Sequence, residues 1–190
     1  MPNRSPAHPE ETGFHRYKVE IALLIVGAII SAIISVTLFS YQVSQTQKSE
    51  QRSLATGYLL EIENIEPSLT RLVAFNASAN TTDFHPVAPL DSFYPSYGLY
   101  YSNRVDISKF DPETSASLYR FYYHLLRAED QRLLLLNFDI DHPANATNPA
   151  DAVFREALKK GIYLNMMADL NLSVSEIPEL KAKLQTYAAG

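Results

Sequence analysis

At 190 residues with a formal net charge of −5, the chain is long enough for one modest core and too acidic for nonspecific nucleic-acid binding, which needs a basic surface. It contains no cysteine, so disulfides, thiolate zinc sites, iron–sulfur clusters and cysteine nucleophiles are excluded.

Residues 1–16 hold three Pro, two His and few large apolar residues, and read as a short cytoplasmic disordered tail. A different regime follows. From Ile21 to Gln47 there is no Asp, Glu, Lys or Arg, and most residues to Phe39 are aliphatic. About 20 apolar residues in a helix cross a hydrocarbon core of roughly 30 Å. The stretch 17–43 is therefore expected to span the lipid bilayer once, with Tyr17 and Tyr41 at headgroup depth. Its hydroxyls, at Ser31, Ser35, Thr37 and Ser40, are expected to bond back to helix carbonyls. The run is longer than the apolar region of a cleaved signal peptide, so it reads as an uncleaved signal anchor. Gly27, Ser31 and Ser35 repeat every fourth residue. Such a small-residue ladder lets two spans approach closely as a homodimer, and it is also ordinary transmembrane composition.

Orientation rests on two signals. Arg16 and Lys18 lie next to the membrane on the N-terminal side, which favours a cytoplasmic N-terminus. Of ten Asn, five begin an N-x-Ser/Thr sequon, and four of these follow the span: Asn76, Asn80, Asn145 and Asn171 are candidate N-glycosylation sites. Both signals put residues 44–190 outside the cell. That part carries 13 Lys plus Arg and 18 Asp plus Glu, giving 13 − 18 = −5.

From 44 to about 76, apolar residues such as Tyr58, Ile62, Ile65 and Leu69 recur every three or four positions, so the span is expected to continue as a helical stalk. Pro67 is expected to kink it or start a new helix. From 77 to 110 the period is lost. This stretch is rich in Pro and aromatics and reads as a long loop packed across the helices, with short extended pieces at 99–101 and 104–107. Asp111-Pro112-Glu113 is a strong helix start, with a cap, a Pro at the first position and an acid in the first turn. That helix is expected to reach about Asn137, with Leu118, Phe121, Tyr122, Leu125, Ala128 and the run from Leu133 to Leu136 on its buried side. A loop over 139–147 follows. Asn148-Pro149 with Asp151 opens another helix to about 171, with Val153, Ala157, Leu158, Ile162, Met166 and Leu170 as its buried stripe. Ser173 or Ser175 is expected to cap a last helix carrying Ile177, Leu180, Leu184 and Tyr187. The fold class is therefore mostly α: a transmembrane helix continuing into a stalk, then a small extracytoplasmic bundle of three to five helices with one long aromatic, Pro-rich loop.

Chemistry is sparse. Asp139, Asp141 and His142 are three metal-capable residues within four positions, without an EF-hand pattern, and read as a solvated loop. Glu129 and Asp130 are adjacent and point about 100° apart, so they are not a facing acid pair. There is no Gly-x-Ser-x-Gly elbow and no phosphate-binding Gly loop. No catalytic, cofactor-binding or metal-binding residue is assigned, and the chain is expected not to be an enzyme. Arg120, His124 and Arg127 lie on one side of a helix and form a candidate anion or carboxylate site, or else pair with acids such as Glu61, Glu63 or Glu66. Tyr94, Tyr97, Tyr100 and Tyr101 are either a partner or ligand surface or simply core.

The stretch from Tyr94 to Arg132, YPSYGLYYSNRVDISKFDPETSASLYRFYYHLLRAEDQR, carries a resemblance. With the single N-terminal span, it resembles a group of small, uncharacterised membrane-anchored proteins of methanogenic archaea. They share a Tyr-Pro…Gly-x-Tyr-Tyr element, then Asp-Ile-x-x-Phe-Asp, then a helix with Phe-Tyr and Ala-Glu. The resemblance implies an anchored architecture in organisms that glycosylate Asn outside the cell, and no activity. The segment from Val19 to Gly27 is also similar to the start of type IV pilin-like proteins, which place a Glu near the head of an apolar helix. Glu20 lies too far from Gly13 for that pattern, and Arg16 and Lys18 interrupt it.

The functional expectation is a single-pass cell-membrane protein acting as a non-catalytic interaction or assembly subunit, with an unknown membrane or envelope protein as partner and no nucleic acid. The alternatives are a ligand-sensing ectodomain working with a separate signalling partner, and a pilin-like subunit.

Overall fold

The structure, a computed structural model, describes residues 10–78, 89, 91–94, 98–103, 106–143 and 149–189; within these it describes the side chains outside 10–16, 76–78, 101, 103 and 149. It is mostly helical, with no strand among the described residues. Helix α1 runs over Glu10–Ser78, α2 over Leu99–Asn103, α3 over Pro112–Asp141 and α4 over Pro149–Ala189, with a 3-10 turn at Asp106–Lys109. The chain divides into two units, Met1–Gln47 and Lys48–Gly190.

The first unit is the apolar part of α1. Its long aliphatic side chains are all open: none of the most apolar window is buried against protein. Two of the expected hydroxyl bonds are present, Ser35 Oγ to the Ser31 carbonyl and Thr37 Oγ1 to the Ile33 carbonyl, both at 2.8 Å. Helix begins earlier than the tail reading allows. Residues 1–9 lie outside the described residues.

The second unit is built on one apolar core. From α1 it takes Ala55, Tyr58, Ile62, Ile65 and Leu69, whose spacing of three or four puts them on one face. Pro67 does not start a new helix; α1 continues through it. Burial of Ile65 and Leu69 on either side outweighs the one backbone bond that Pro removes. From α3 the core takes Leu118, Phe121, Tyr122, Leu125 and Ala128, as the pattern required. The run from Leu133 to Leu136 behaves differently: only Leu135 is buried. Four consecutive Leu cannot all face one side of a helix.

The largest correction concerns the C-terminal part. The expected loop at 139–147 starts later, because α3 extends to Asp141. The two helices expected over 149–187 are one, α4, which passes through Ser173, Ser175 and Pro178 without ending. Neither serine caps a helix. Ser173 is buried and donates to the Phe121 carbonyl of α3 at 3.3 Å, and Ser175 donates to the Leu172 carbonyl. The expected buried side of α4 holds from its middle onward: Met166, Leu170, Ile177, Leu180 and Leu184 are buried and Ile162 is half-buried, joined by Tyr163 and Met167. Nearer its start it does not hold, because Val153, Ala157 and Leu158 are exposed.

Over 99–109 the linking segment is helical where described, whereas 89, 91–94 and 98 are irregular. Residues 99–101 belong to α2 rather than to an extended piece, and Asp106–Lys109 forms the 3-10 turn; residues 104 and 105 lie outside the described residues.

Asp111 caps α3 and ties it to the end of α4. Its Oδ1 accepts from the N–H of Glu113 at 2.8 Å and of Thr114 at 3.0 Å, and its Oδ2 accepts from the Thr114 and Tyr187 hydroxyls, both at 2.6 Å. The Thr114 hydroxyl, then the Tyr187 hydroxyl, hold the carboxyl well below the usual range. A depressed folded-state pKa means the stabilisation is complete above the unfolded value near 4 and fades as pH falls below it. Asp111→Ala is expected to lower stability by about 1–2 kcal/mol at neutral pH. The gap between wild type and variant is expected to close as denaturation midpoints are measured from about pH 5 down to about pH 2.

Candidate functional site

Arg120, His124 and Arg127 do share one side of α3, and that side faces α4. The acids they meet are not Glu61, Glu63 or Glu66. Arg120 Nε donates to Glu176 Oε1 at 3.0 Å. His124 Nδ1 lies 2.9 Å from Asp169 Oδ1, and Arg127 Nε lies 3.3 Å from Asp169 Oδ2. Gln131 Nε2 donates to the same oxygen at 3.3 Å. Asp169 is only 5% exposed, and this set of hydrogen-bond partners replaces the water that burial takes from its carboxylate. The row is thus a polar seam joining two helices. Its carboxylate-binding capacity is taken by the protein's own acids. Sequence spacing identified the donors correctly. It missed the acceptors, Asp169 and Glu176, because a row of donors does not say which helix lies opposite it.

The tyrosines divide. Tyr94 and Tyr100 are core side chains, 3% and 4% exposed, and offer no surface to a partner. Tyr97 lies outside the described residues, as does the Tyr101 side chain. The rings of Tyr94 and Tyr58 meet Tyr122 at 5.6 and 6.0 Å between centroids, and Tyr100 stacks on it at 4.4 Å. Leu99 N–H donates to Glu61 Oε2 at 2.6 Å, and Tyr100 N–H donates to the Tyr94 hydroxyl at 3.2 Å. Gly98 is required here: a Cβ at that position would lie 1.8 Å from the Tyr94 hydroxyl. Tyr94, Gly98 and Tyr100 therefore have a packing role, seating this segment on α1 and α3. Burial first, then the Glu61 charge, pushes both the Tyr58 and the Tyr122 hydroxyl well above the usual range.

A second anchor was not anticipated. Glu129 and Arg132 form an i,i+3 pair on α3, with Arg132 Nε to Glu129 Oε2 at 2.9 Å and Nη2 to Oε1 at 2.6 Å. Glu129 Oε2 also accepts the Phe93 N–H at 3.0 Å, and Arg132 Nη1 donates to the Pro89 carbonyl at 3.4 Å. Burial opposes the charge on Glu129, but the Arg132 guanidinium and then Ser92 hold its carboxyl below the usual range. The i,i+3 spacing was a usable signal. Its target, the backbone at 89–93, was not.

Asp139 does not join Asp141 and His142 as a ligand set. It pairs with Arg155 at 2.6 Å and Lys159 at 2.7 Å on α4, and His142 stacks on Phe138. Among the described residues no three His, Asp or Glu side chains converge as metal ligands. Of the sequons, Asn80 and Asn145 and the Asn76 side chain lie outside the described residues. Asn171 is inside α4, where its Nδ2 donates to the Met167 carbonyl at 2.9 Å and its sequon partner Ser173 is buried. Sequons in use sit in surface loops. Along the span, Gly27 opens onto free space: a Cβ there would meet nothing within 4 Å.

Among the described residues, large apolar side chains also stay open: Val153 and Phe154 on α4 are 73% and 63% exposed, and Leu134 and Ile140 on α3 are exposed as well. Comparison of the chain with protein-family models, with curated proteins and with solved structures gives no match.

Proposed function

We propose that this chain is a single-pass membrane protein whose N-terminus is cytoplasmic, whose helical body from about residue 44 stands outside the cell as a small bundle, and which works by holding partners rather than by catalysis. The observation that carries the reading is the apolar part of α1, none of it buried against protein. An exposed apolar helix of that length is stable in lipid, where its backbone bonds are satisfied internally. Arg16 and Lys18 at its head support the orientation. The likeness of 94–132 to membrane-anchored archaeal proteins agrees with the same architecture. The interaction role is supported by contrast. The charged candidates are consumed in internal pairs, while large apolar side chains stay open on α3 and α4.

The test is a pull-down of the full chain from native membranes after mild crosslinking, with the intact mass of the bait recorded. Recovery of the intact chain with a stoichiometric protein partner, a second copy included, is the expected result. A bait recovered alone would overturn the interaction role. Loss of 13 residues after Gly13 would instead identify a processed, pilin-like subunit.

A further inference from the structure

Helix α4 carries an uncharged exposed face opposite the one it packs against the core. At 100° per residue, Phe154, Leu158, Gly161, Leu164, Ala168 and Leu172 fall along it, and all six are exposed. A helix that is apolar on both faces is normally buried on both. Gly161 adds an independent sign. It sits in the helix interior with no positive φ, and a Cβ there would meet nothing within 4 Å. Among the described residues nothing needs a glycine at that place, and glycine disfavours the helix. A second helix crossing close above it does need one.

The geometry points to a second copy of this chain as the occupant, with α4 packed antiparallel against α4 about a two-fold axis at Gly161. The argument is self-complementarity. In such a pair, a residue a given distance before Gly161 meets the residue the same distance after it in the partner. Seven positions out, Phe154 meets Ala168. Eleven out, Ala150 meets Leu172. Three out, Leu158 meets Leu164. The outer pairs thus set a large residue against a small one, and the two glycines meet at the crossing. The exposures of Phe154, Leu158, Leu164 and Leu172 leave roughly 400 Å² of apolar surface on this face, about half of the roughly 800 Å² per partner in a stable interface, and Gly161, Ala168 and the polar rim add to it. This inference rests on the interaction reading above and names its partner.

The chain has no cysteine, so introduced thiols report without background. Full-length chains with two different tags, one carrying Phe154→Cys and the other Ala168→Cys, are co-expressed and mildly oxidised in native membranes. A disulfide between the two tags is expected, with none when Glu63→Cys on α1 replaces either partner. Adding Gly161→Leu is expected to cut the crosslinked fraction by about tenfold or more. Gly161→Ala, which an isolated helix prefers to glycine, is expected to cut it in the same direction with the fold intact. Crosslinks of Phe154→Cys to itself in place of Ala168→Cys, or to a different protein, would overturn the inference. So would a crosslinked fraction unmoved by both Gly161 variants. If the pull-down still returns a foreign partner, the interaction reading stands while self-pairing falls.

Discussion

Tyr122→Ala is expected to destabilise the body of the protein by about 3–5 kcal/mol, the range for emptying a large aromatic site in a core. Tyr122 is fully buried and touches the rings of Tyr58, Tyr94, Tyr100 and Phe121. Its ring joins α1, α3 and the segment around α2, so no single element can relax into the space. Tyr122→Phe is expected to be neutral or slightly stabilising. The Tyr122 hydroxyl and Glu61 Oε1 are both buried and near each other, with no hydrogen bond of good geometry among the described residues. Removing the hydroxyl gives up at most that poor contact, at no cost in ring packing. Denaturant midpoints of the full chain in mild detergent check both. The chain has no tryptophan, so the near-ultraviolet signal of its tyrosines reports the core directly. A Phe variant as damaged as the Ala variant would show that the hydroxyl, not the ring, holds the cluster.

Arg132→Ala is expected to cost about 3–5 kcal/mol, because it strands a partly buried carboxylate. Arg132 is 5% exposed and grips Glu129 through two nitrogens. Loss of the guanidinium leaves Glu129 with the Phe93 N–H and Ser92 as its remaining partners. The damage is expected to spread to the chain at 89–94, seen as faster amide exchange at Phe93. Replacing both members, as Glu129→Leu with Arg132→Met, is expected to recover most of the loss, since an apolar pair needs no charge compensation. A double variant no better than Arg132→Ala would mean that the pair's own attraction is the larger effect.

These two sites show what could be read from the residues and what could not. The apolar span, the cap at Asp111 and the buried side of the first half of α3 follow from local rules. Those rules are absence of charge, a carboxylate before Pro, and a clean period of three or four. The start of α4 does not follow, because Val153, Ala157 and Leu158 are apolar and yet exposed, and only packing decides which apolar residues are covered. Ser173 and Ser175 looked like caps because Ser is favoured at helix starts. The hydroxyl of one is used across the α3–α4 contact, and that of the other within the helix. The aromatic segment was ambiguous between surface and core for a physical reason as well. Tyr serves both, and the close approach of Tyr94 to Gly98 that resolves it is a tertiary fact. The Arg120, His124 and Arg127 row was visible as a row, but a row of donors does not say whether its acceptors belong to a ligand or to the neighbouring helix.

The central claim is that the apolar part of α1 lies in a membrane, and alkaline extraction of native membranes tests it most directly. Carbonate at high pH strips proteins held by surface contacts and leaves spanning helices in the pellet. The full chain is predicted to stay in the pellet and to enter solution only with detergent. Release of the chain into the alkaline supernatant would contradict the account at its base.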